Sequence, residues 1–264
     1  MNRKTRWLHV VPLFALVVLL ALATGVNNGA AGQGAQRGQQ PPRSPQASAP
    51  IDLTGYWVSI VTEDWRFRMV TPPKGDYASV PLNAEGRRVA DTWDLAKDIA
   101  AGNQCKAFAV GNVMRNPGRV HITWENENTL RMDTDAGTQT RLLHFGESQP
   151  PAEPSWQGYS VASWEMRAPG RGQQQARGGS LKVVTTHMRP GYLRKNGVPY
   201  SDNTVVTEYF DRHSDYGAEW FTVTTIVNDP KYLTDEFITS THFRKEPDGS
   251  KFNPTPCETA PPAK

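Results

Sequence analysis

Residues 117–145 read PGRVHITWENENTLRMDTDAGTQTRLLHF, and this stretch decides the fold. Three runs, 118–125, 128–134 and 138–145, alternate apolar with polar residues and are rich in β-branched and aromatic side chains. Between them lie only Asn126-Glu-Asn128 and Asp135-Ala-Gly137. Turn residues this close together between strand-like runs predict tight hairpins, and so an antiparallel meander.

The same pattern continues on both sides. Strands are predicted near 55–62 and 65–70 upstream, and near 158–166, 181–188, 203–212, 219–227 and 236–244 downstream. A set of about ten short strands requires a sandwich or a closed barrel, because an open sheet of that size leaves long unpaired edges. Several strands are semi-polar on both faces: Val205/Thr207/Tyr209 opposes Val206/Glu208/Phe210/Arg212, and Phe237/Thr239/Thr241/Phe243 opposes Ile238/Ser240/His242/Arg244. That favours an interior with polar groups, as in a ligand-holding barrel, although threonine packs well in any strand and gives the same pattern. One helix is predicted from Asn83, a capping residue, with Val89, Trp93 and Leu95 or Ala96 on one side. The expected class is all-β with one or two short helices, arranged as an antiparallel barrel or closed meander.

Both ends of the chain differ in composition from this region. Arg3, Lys4 and Arg6 precede an apolar run from Leu8 to Ala23 that ends on Ala21-Leu-Ala23, the three-part pattern of a cleaved secretory signal over residues 1–26. The alternative is an uncleaved anchor, since Trp7 to Val26 approaches the roughly 20 residues a bilayer requires; His9 and Pro12 favour cleavage. Residues 27–50, NNGAAGQGAQRGQQPPRSPQASAP, lack the apolar content to offset ordering entropy and are expected to be a disordered linker. The β-barrel-like domain then covers 51–246, and a Pro-rich tail covers 247–264. A second Gly/Gln-rich stretch, Ala168 to Gly179, is expected to be a long hairpin loop.

Removing Arg3, Lys4 and Arg6 from 29 basic residues leaves 26, against 26 acids. A neutral mature chain has no field to gather phosphates, so no nucleic-acid partner is expected, and membrane contact is expected only through the N-terminal segment if uncleaved. Export to the periplasm or medium makes a disulfide the default for Cys105 and Cys257, with two free thiols as the alternative.

Five histidines lie beyond the signal: His121, His144, His187, His213 and His242. None has metal-ligand spacing to another or to a cysteine, and no P-loop, G-x-S-x-G or dinucleotide fingerprint is present, so neither metal nor cofactor is expected. Glu165 and Glu208 are strand carboxylates flanked by aromatics. Desolvated in a barrel, they could act as general acid or base with His121 or His242; paired with Arg141, Arg167 or Arg212, they would instead tie strands together. As a strand, residues 65–70 would put Trp65, Phe67 and Met69 on one face and Arg66 and Arg68 on the other, offering aromatic surface and two guanidinium groups for a carboxylate. The loop Arg189 to Tyr200, with Tyr192 and Tyr200, could cover a barrel mouth, and Trp220 joins them as a ligand-binding candidate.

Asp52-Leu-Thr-Gly55-Tyr56-Trp57 resembles the G-x-W of the first strand in lipocalins, where the Trp plugs the barrel base and a late Arg packs across it; Arg244 matches that Arg. A wider resemblance, over roughly Ile51 to Cys257, is to a family of exported bacterial proteins of unassigned function. It is carried by Leu82-Asn-Ala-Glu-Gly86, Pro117-Gly-Arg-Val120, Gly158-Tyr-Ser-Val-Ala-Ser-Trp-Glu165, Gly197-Val-Pro-Tyr-Ser201, Val206-Thr-Glu-Tyr-Phe-Asp-Arg212 and Thr225-Ile-Val-Asn-Asp-Pro230. Family members read G-H-S-x-G-x-W-E-G-D-T-L at the third segment and G-x-P-H-S at the fourth, where this chain has Tyr159 and Tyr200 in place of the histidines. The resemblance implies export and a β-rich fold and supplies no reaction. Three functions follow, in order: an exported lipocalin-like module holding a small, partly apolar ligand; a barrel hydrolase, isomerase or lyase; and an envelope interaction protein without a cavity.

Overall fold

The computed structural model describes residues 43–146, 149–168, 171 and 178–262. The expected signal segment, most of the linker and most of the Gly/Gln loop lie outside the described residues. In chain order the elements are β1 (Gly55–Ile60), α1 (Trp65–Arg68), α2 (Ala84–Asp91), α3 (Leu95–Ala100), a 3-10 turn (Gln104–Phe108), α4 (Val110–Val113), β2 (Arg119–Asn126), β3 (Thr129–Thr134), β4 (Gln139–Phe145), β5 (Tyr159–Met166), β6 (Gly179–Thr186), β7 (Gly191–Arg194), β8 (Val198–Tyr200), β9 (Val205–Asp215), β10 (Ala218–Asn228) and β11 (Phe237–Glu246).

Nine strands close into a barrel in the order β1-β11-β10-β9-β6-β5-β4-β3-β2, while β7 and β8 form a separate hairpin. The meander of residues 117–145 is β2-β3-β4, with Ile122 opposite Met132 and Met132 opposite Arg141. The barrel departs from a pure meander at one seam: β4 and β5 run parallel, pairing Leu143 to Phe145 with Ser160 to Ala162.

Two helical expectations change. The helix from Asn83 stops at Asp91, and Asp94 starts a second one by accepting hydrogen bonds from the Ala96 and Lys97 amides. Asn83 Oδ1 caps the first by accepting from Gly86 N at 2.8 Å. Residues 65–70, expected as a strand, form the single turn α1, with Arg68 N and Met69 N bonding back to Asp64 O and Trp65 O. The helical period turns Trp65, Arg66 and Met69 outward and Arg68 inward, where the strand period would have kept Arg66 and Arg68 together. No neighbouring strand was left for this segment, because β1 is already paired on both sides, by β2 and β11.

Inside the barrel, alternate residues point inward and pack into an apolar layer. Phe221 lies between Trp57, at 4.9 Å, and Phe243, at 4.6 Å between ring centroids. Each such fully buried side chain contributes about 1.5–3 kcal/mol. A polar layer follows: Arg141 Nη1 donates to Glu208 Oε1 at 3.1 Å, Arg141 Nη2 donates to Glu208 Oε2, and Ser160 and Thr185 hydroxyls bond at 2.8 Å. The inward polar groups predicted from the semi-polar strands are therefore real, and these bond to one another, with Arg141 Nε left without a partner among the described residues. The G-x-W tryptophan is fully buried, as the lipocalin resemblance implies. Arg244 is exposed on the outer face, and the cation across the indole is Lys245, 5.2 Å from the ring centre. Inward and outward positions alternate from Phe243, so Lys245 and not Arg244 shares its side.

The two ends of the barrel differ. One end, at the starts of β1 and β10 and the finish of β2, β9 and β11, is open. The other is plugged by residues 104–116 and by β7–β8, around a second apolar cluster containing Val110, Leu193, Val198, Tyr200 and Phe237. Gly197 has φ +81°, and a Cβ there would lie 2.1 Å from Trp93, so only glycine lets this hairpin meet the helical segment. Cys105 and Cys257 form a disulfide that ties the 3-10 turn to the tail. The tail also bonds the β3–β4 turn through Thr255 N to Asp135 O, at 2.8 Å.

Candidate functional site

The open end holds a cavity of about 580 Å³ lined by Gln46, Ala49, Pro50, Ile51, Asp52, Trp124, Arg212, His213, Ser214 and Glu219. One wall is the segment just before β1, of which Gln46, Ala49 and Pro50 fall in the stretch that composition assigned to the linker. Two buried or half-buried indoles hold it: Trp57 Nε1 donates to Leu53 O at 2.8 Å, and Trp164 Nε1 donates to Pro45 O at 2.9 Å. The aromatic wall is Trp124, which packs on Phe145 and Trp164 at ring distances of 5.6 and 6.5 Å.

The polar rim comes from the β9–β10 hairpin. Arg212 Nη2 donates to Glu219 Oε2 at 2.7 Å, and the Ser214 hydroxyl donates to the other oxygen of the same carboxylate. The Ser214 bond and the Arg212 charge hold the Glu219 carboxyl below its usual range. Asp52 is also held low: burial pushes its pKa up, but the Thr54 hydrogen bonds and the Lys245 and Arg212 charges outweigh that. Arg212 lines the cavity, and its Nε is buried beneath that surface with no hydrogen-bond partner among the described residues. Chemically, the bowl offers an aromatic surface, the Arg212 cation and two ionised carboxylates.

The residues singled out from the sequence are scattered. Glu208 is fully buried inside the barrel and bound on both oxygens by Arg141. Glu165 faces outward on β5, half-exposed, with Lys182 Nζ at 3.5 Å. His121 lies on the outer face, stacked on Tyr56 at 4.0 Å beneath the tail residue Phe252. His242 is also outside, its Nδ1 2.9 Å from the Thr222 hydroxyl and its Nε2 3.8 Å from Glu63. The proposed carboxylate–histidine pairs are not brought together, because Glu208 points inward whereas His121 and His242 sit at outward positions.

Trp65 is 66% exposed on α1, and Arg66 pairs with Asp76 at the surface. Arg68 turns inside instead, donating to Arg115 O at 3.0 Å and to the Ser59 hydroxyl at 2.8 Å and pairing with Glu63. The expected guanidinium pair is thereby split. Trp220 faces out and donates from Nε1 to Asp215 O at 3.0 Å. Tyr192 and Tyr200 do meet, with Trp93, Lys97, Asp98 and Lys106, around a smaller cavity of about 260 Å³ at the closed end. Tyr192 and Lys106 converge on Asp98: Tyr192 OH donates to it at 2.7 Å, Lys106 Nζ lies 3.2 Å from it, and burial with the Asp98 bond raises the Tyr192 pKa strongly.

Sequence reading missed the open-end wall and two further buried arginines, Arg115 and Arg194, which are 3% and 1% exposed. Arg212 was visible only as a partner for strand carboxylates. Arg194 was hidden by a local irregularity: the β7–β8 register shifts between Tyr192 and Arg194, so Leu193 and Arg194 are both buried where strict alternation would expose one. Among the described residues no helix is long and apolar enough to cross a membrane, and no group of three or more His, Cys, Asp or Glu side chains is placed to hold a metal ion. No protein-family profile, curated protein or solved structure matches the chain.

Proposed function

We propose that this protein is an exported binding module that holds a small, partly apolar molecule at the open end of its barrel. The observation that carries the reading is the bowl of about 580 Å³, a volume in the range of small-molecule sites, which joins Trp124 to the Arg212 guanidinium. An aromatic or aliphatic body against Trp124, Pro50 and Ile51, with an acidic or carbonyl group at Arg212, fits that lining. The Cys105–Cys257 disulfide supports an oxidising compartment, and the resemblance to exported bacterial proteins supports the same address.

The test is native mass spectrometry of the protein purified from its own host's envelope, beside the Arg212→Gln variant. A small molecule retained by the wild type and lost from the variant is the expected result. A wild type free of any adduct, whose tryptophan fluorescence ignores host envelope extract, would overturn the reading.

One observation favours a second reading, an envelope interaction protein. Trp65, Met69 and Val70 are 66, 56 and 40% exposed on one short segment, and the inward-facing polar groups pair with one another. Under that reading Trp65→Ser abolishes a pull-down from envelope extract, while Arg212→Gln does not.

A further inference from the structure

The closed end carries a feature that the open-end reading does not use. Arg68, Arg115 and Arg194 lie together behind the segment Thr62–Tyr77. Arg68 Nε donates to Arg115 O, Lys195 Nζ donates to Arg68 O at 3.1 Å, and the Arg115 and Arg194 guanidinium carbons lie 5.8 and 5.9 Å from the centre of the same Phe237 ring. The acids nearby are already matched: Glu63 with Arg68, Asp64 with Arg115 at 3.0 Å, and Asp76 with Arg66. Arg194 is left over. It is 1% exposed, and among the described residues its Nε, Nη1 and Nη2 have no hydrogen-bond partner, nor does Arg115 Nη1.

A buried guanidinium with three unmet donors is costly unless something accepts from it. Deprotonation does not relieve the cost: burial and the Arg115 charge lower the Arg194 pKa only to about 10, which leaves a cation at neutral pH. The face of the guanidinium is taken, since Phe67 lies over it at 3.8 Å. Its edge, where the N–H groups point, is the part without acceptors, and an edge-on pair of N–H donors matches the two oxygens of a carboxylate or phosphate.

We propose that Arg194 and Arg115, covered by the segment Thr62–Tyr77, form a binding site for a small oxyanion, a carboxylate or a phosphate. The covering segment carries Phe67 and is tied to the β7–β8 hairpin by Asn196 Nδ2, which donates to Pro73 O at 3.1 Å and Asp76 O at 3.0 Å. Access requires that segment to lift. Near its start Asp64 lies in the left-handed region, at φ 50°, a conformation disfavoured for most residues with a side chain. Lys195, half-buried beside the cluster, adds positive charge and has no carboxylate partner among the described residues.

The test is thermal unfolding of the mature protein at constant ionic strength, with chloride replaced by inorganic phosphate in one series and by succinate in another. A saturable rise in Tm in either series is expected, and the series that gives it identifies the anion. In Arg194→Met the Tm in chloride stays equal or rises, because an unpaired buried charge has become an apolar chain, and the apparent affinity for the anion falls at least about tenfold. No saturable rise in the wild type, or an equal rise in Arg194→Met, overturns the site. Hydrogen exchange on the wild type needs no variant: the effective anion slows exchange in residues 62–77, and unchanged exchange there overturns the covering role.

Discussion

The two ends of this barrel are built from the same strands and behave as different materials. At the closed end a disulfide, a glycine packed against Trp93, a buried Ser201–Asp229 pair bonding at 2.8 Å and a fully enclosed Arg141–Glu208 pair leave little freedom. At the open end the rim is a long hairpin with exposed Ser214, Asp215 and Tyr216, and its ion pair, Arg212–Glu219, is about one-third exposed. One end is where packed and tied side chains are concentrated, and the other has the larger cavity; among the described residues each holds buried guanidinium nitrogens without an acceptor, Arg194 and Arg115 at the closed end and Arg212 at the open one. Binding surfaces on a rigid β scaffold follow this division, since a rim can vary without costing the core.

The largest test of the comparison is Glu208→Ala. It strands Arg141 inside the barrel and should cost about 3–5 kcal/mol in urea unfolding, whereas a Glu208→Leu, Arg141→Met double variant should lose far less. Equal losses would mean that the pair supplies net stability and does not merely avoid an unpaired charge. Cys105→Ser should come next, lowering stability by about 2–4 kcal/mol, with reductant producing the same loss in the wild type and a changed gel mobility.

Glycines sharpen the contrast between the ends. Gly197→Ala combines a left-handed φ with a clash into Trp93 and should cost about 2–4 kcal/mol. Gly217→Ala, at φ +68° in the β9–β10 turn with nothing within 4 Å, should cost only about 1–2 kcal/mol. If the two cost the same, the packing difference between the ends is not energetic. Arg212→Gln should change stability by less than about 1 kcal/mol while removing the ligand, because its ion pair is partly exposed.

The smallest effect is with acid. Asp52 and Asp133 both have carboxyls held below their ordinary pKa: burial raises each, and hydrogen bonds and neighbouring cations more than reverse it. Their ionised forms are favoured in the native state, so the stability they add is complete above the unfolded value near pH 4 and is lost as pH falls through the lower native values. Asp52→Asn should flatten part of that acid limb in a pH series of melting temperatures, and an unchanged limb would show that Asp52 is not held low.

Much of the barrel was legible from local chemistry. The spacing of Asn126 to Asn128 and Asp135 to Gly137 dictates hairpins wherever those residues are placed, and a set of short alternating strands has to close on itself. Asn83 announces a helix because its side chain satisfies an amide three residues on. These signals act within a few residues, so they survive in a bare sequence. The failures were at places where distant partners decided the local form. Residues 65–70 alternate like a strand but had no strand to join. Arg194 is buried by a one-residue register shift that alternation cannot foresee. Arg244 lost its predicted position to Lys245 through a shift of one residue.

By itself, then, the sequence determined the β class, the hairpins of residues 117–145 and a cysteine pair able to bridge. Only the tertiary structure decided that the inward polar residues bond to one another, that the cavity sits at the barrel's end, and which arginines are left without an acceptor. The physical reason is range. Turns, caps and alternation are set by neighbours along the chain, whereas the burial of a charge and the accounting of its hydrogen bonds depend on groups as far apart as Arg141 and Glu208, or Arg115 and Arg194, which meet only when the barrel closes.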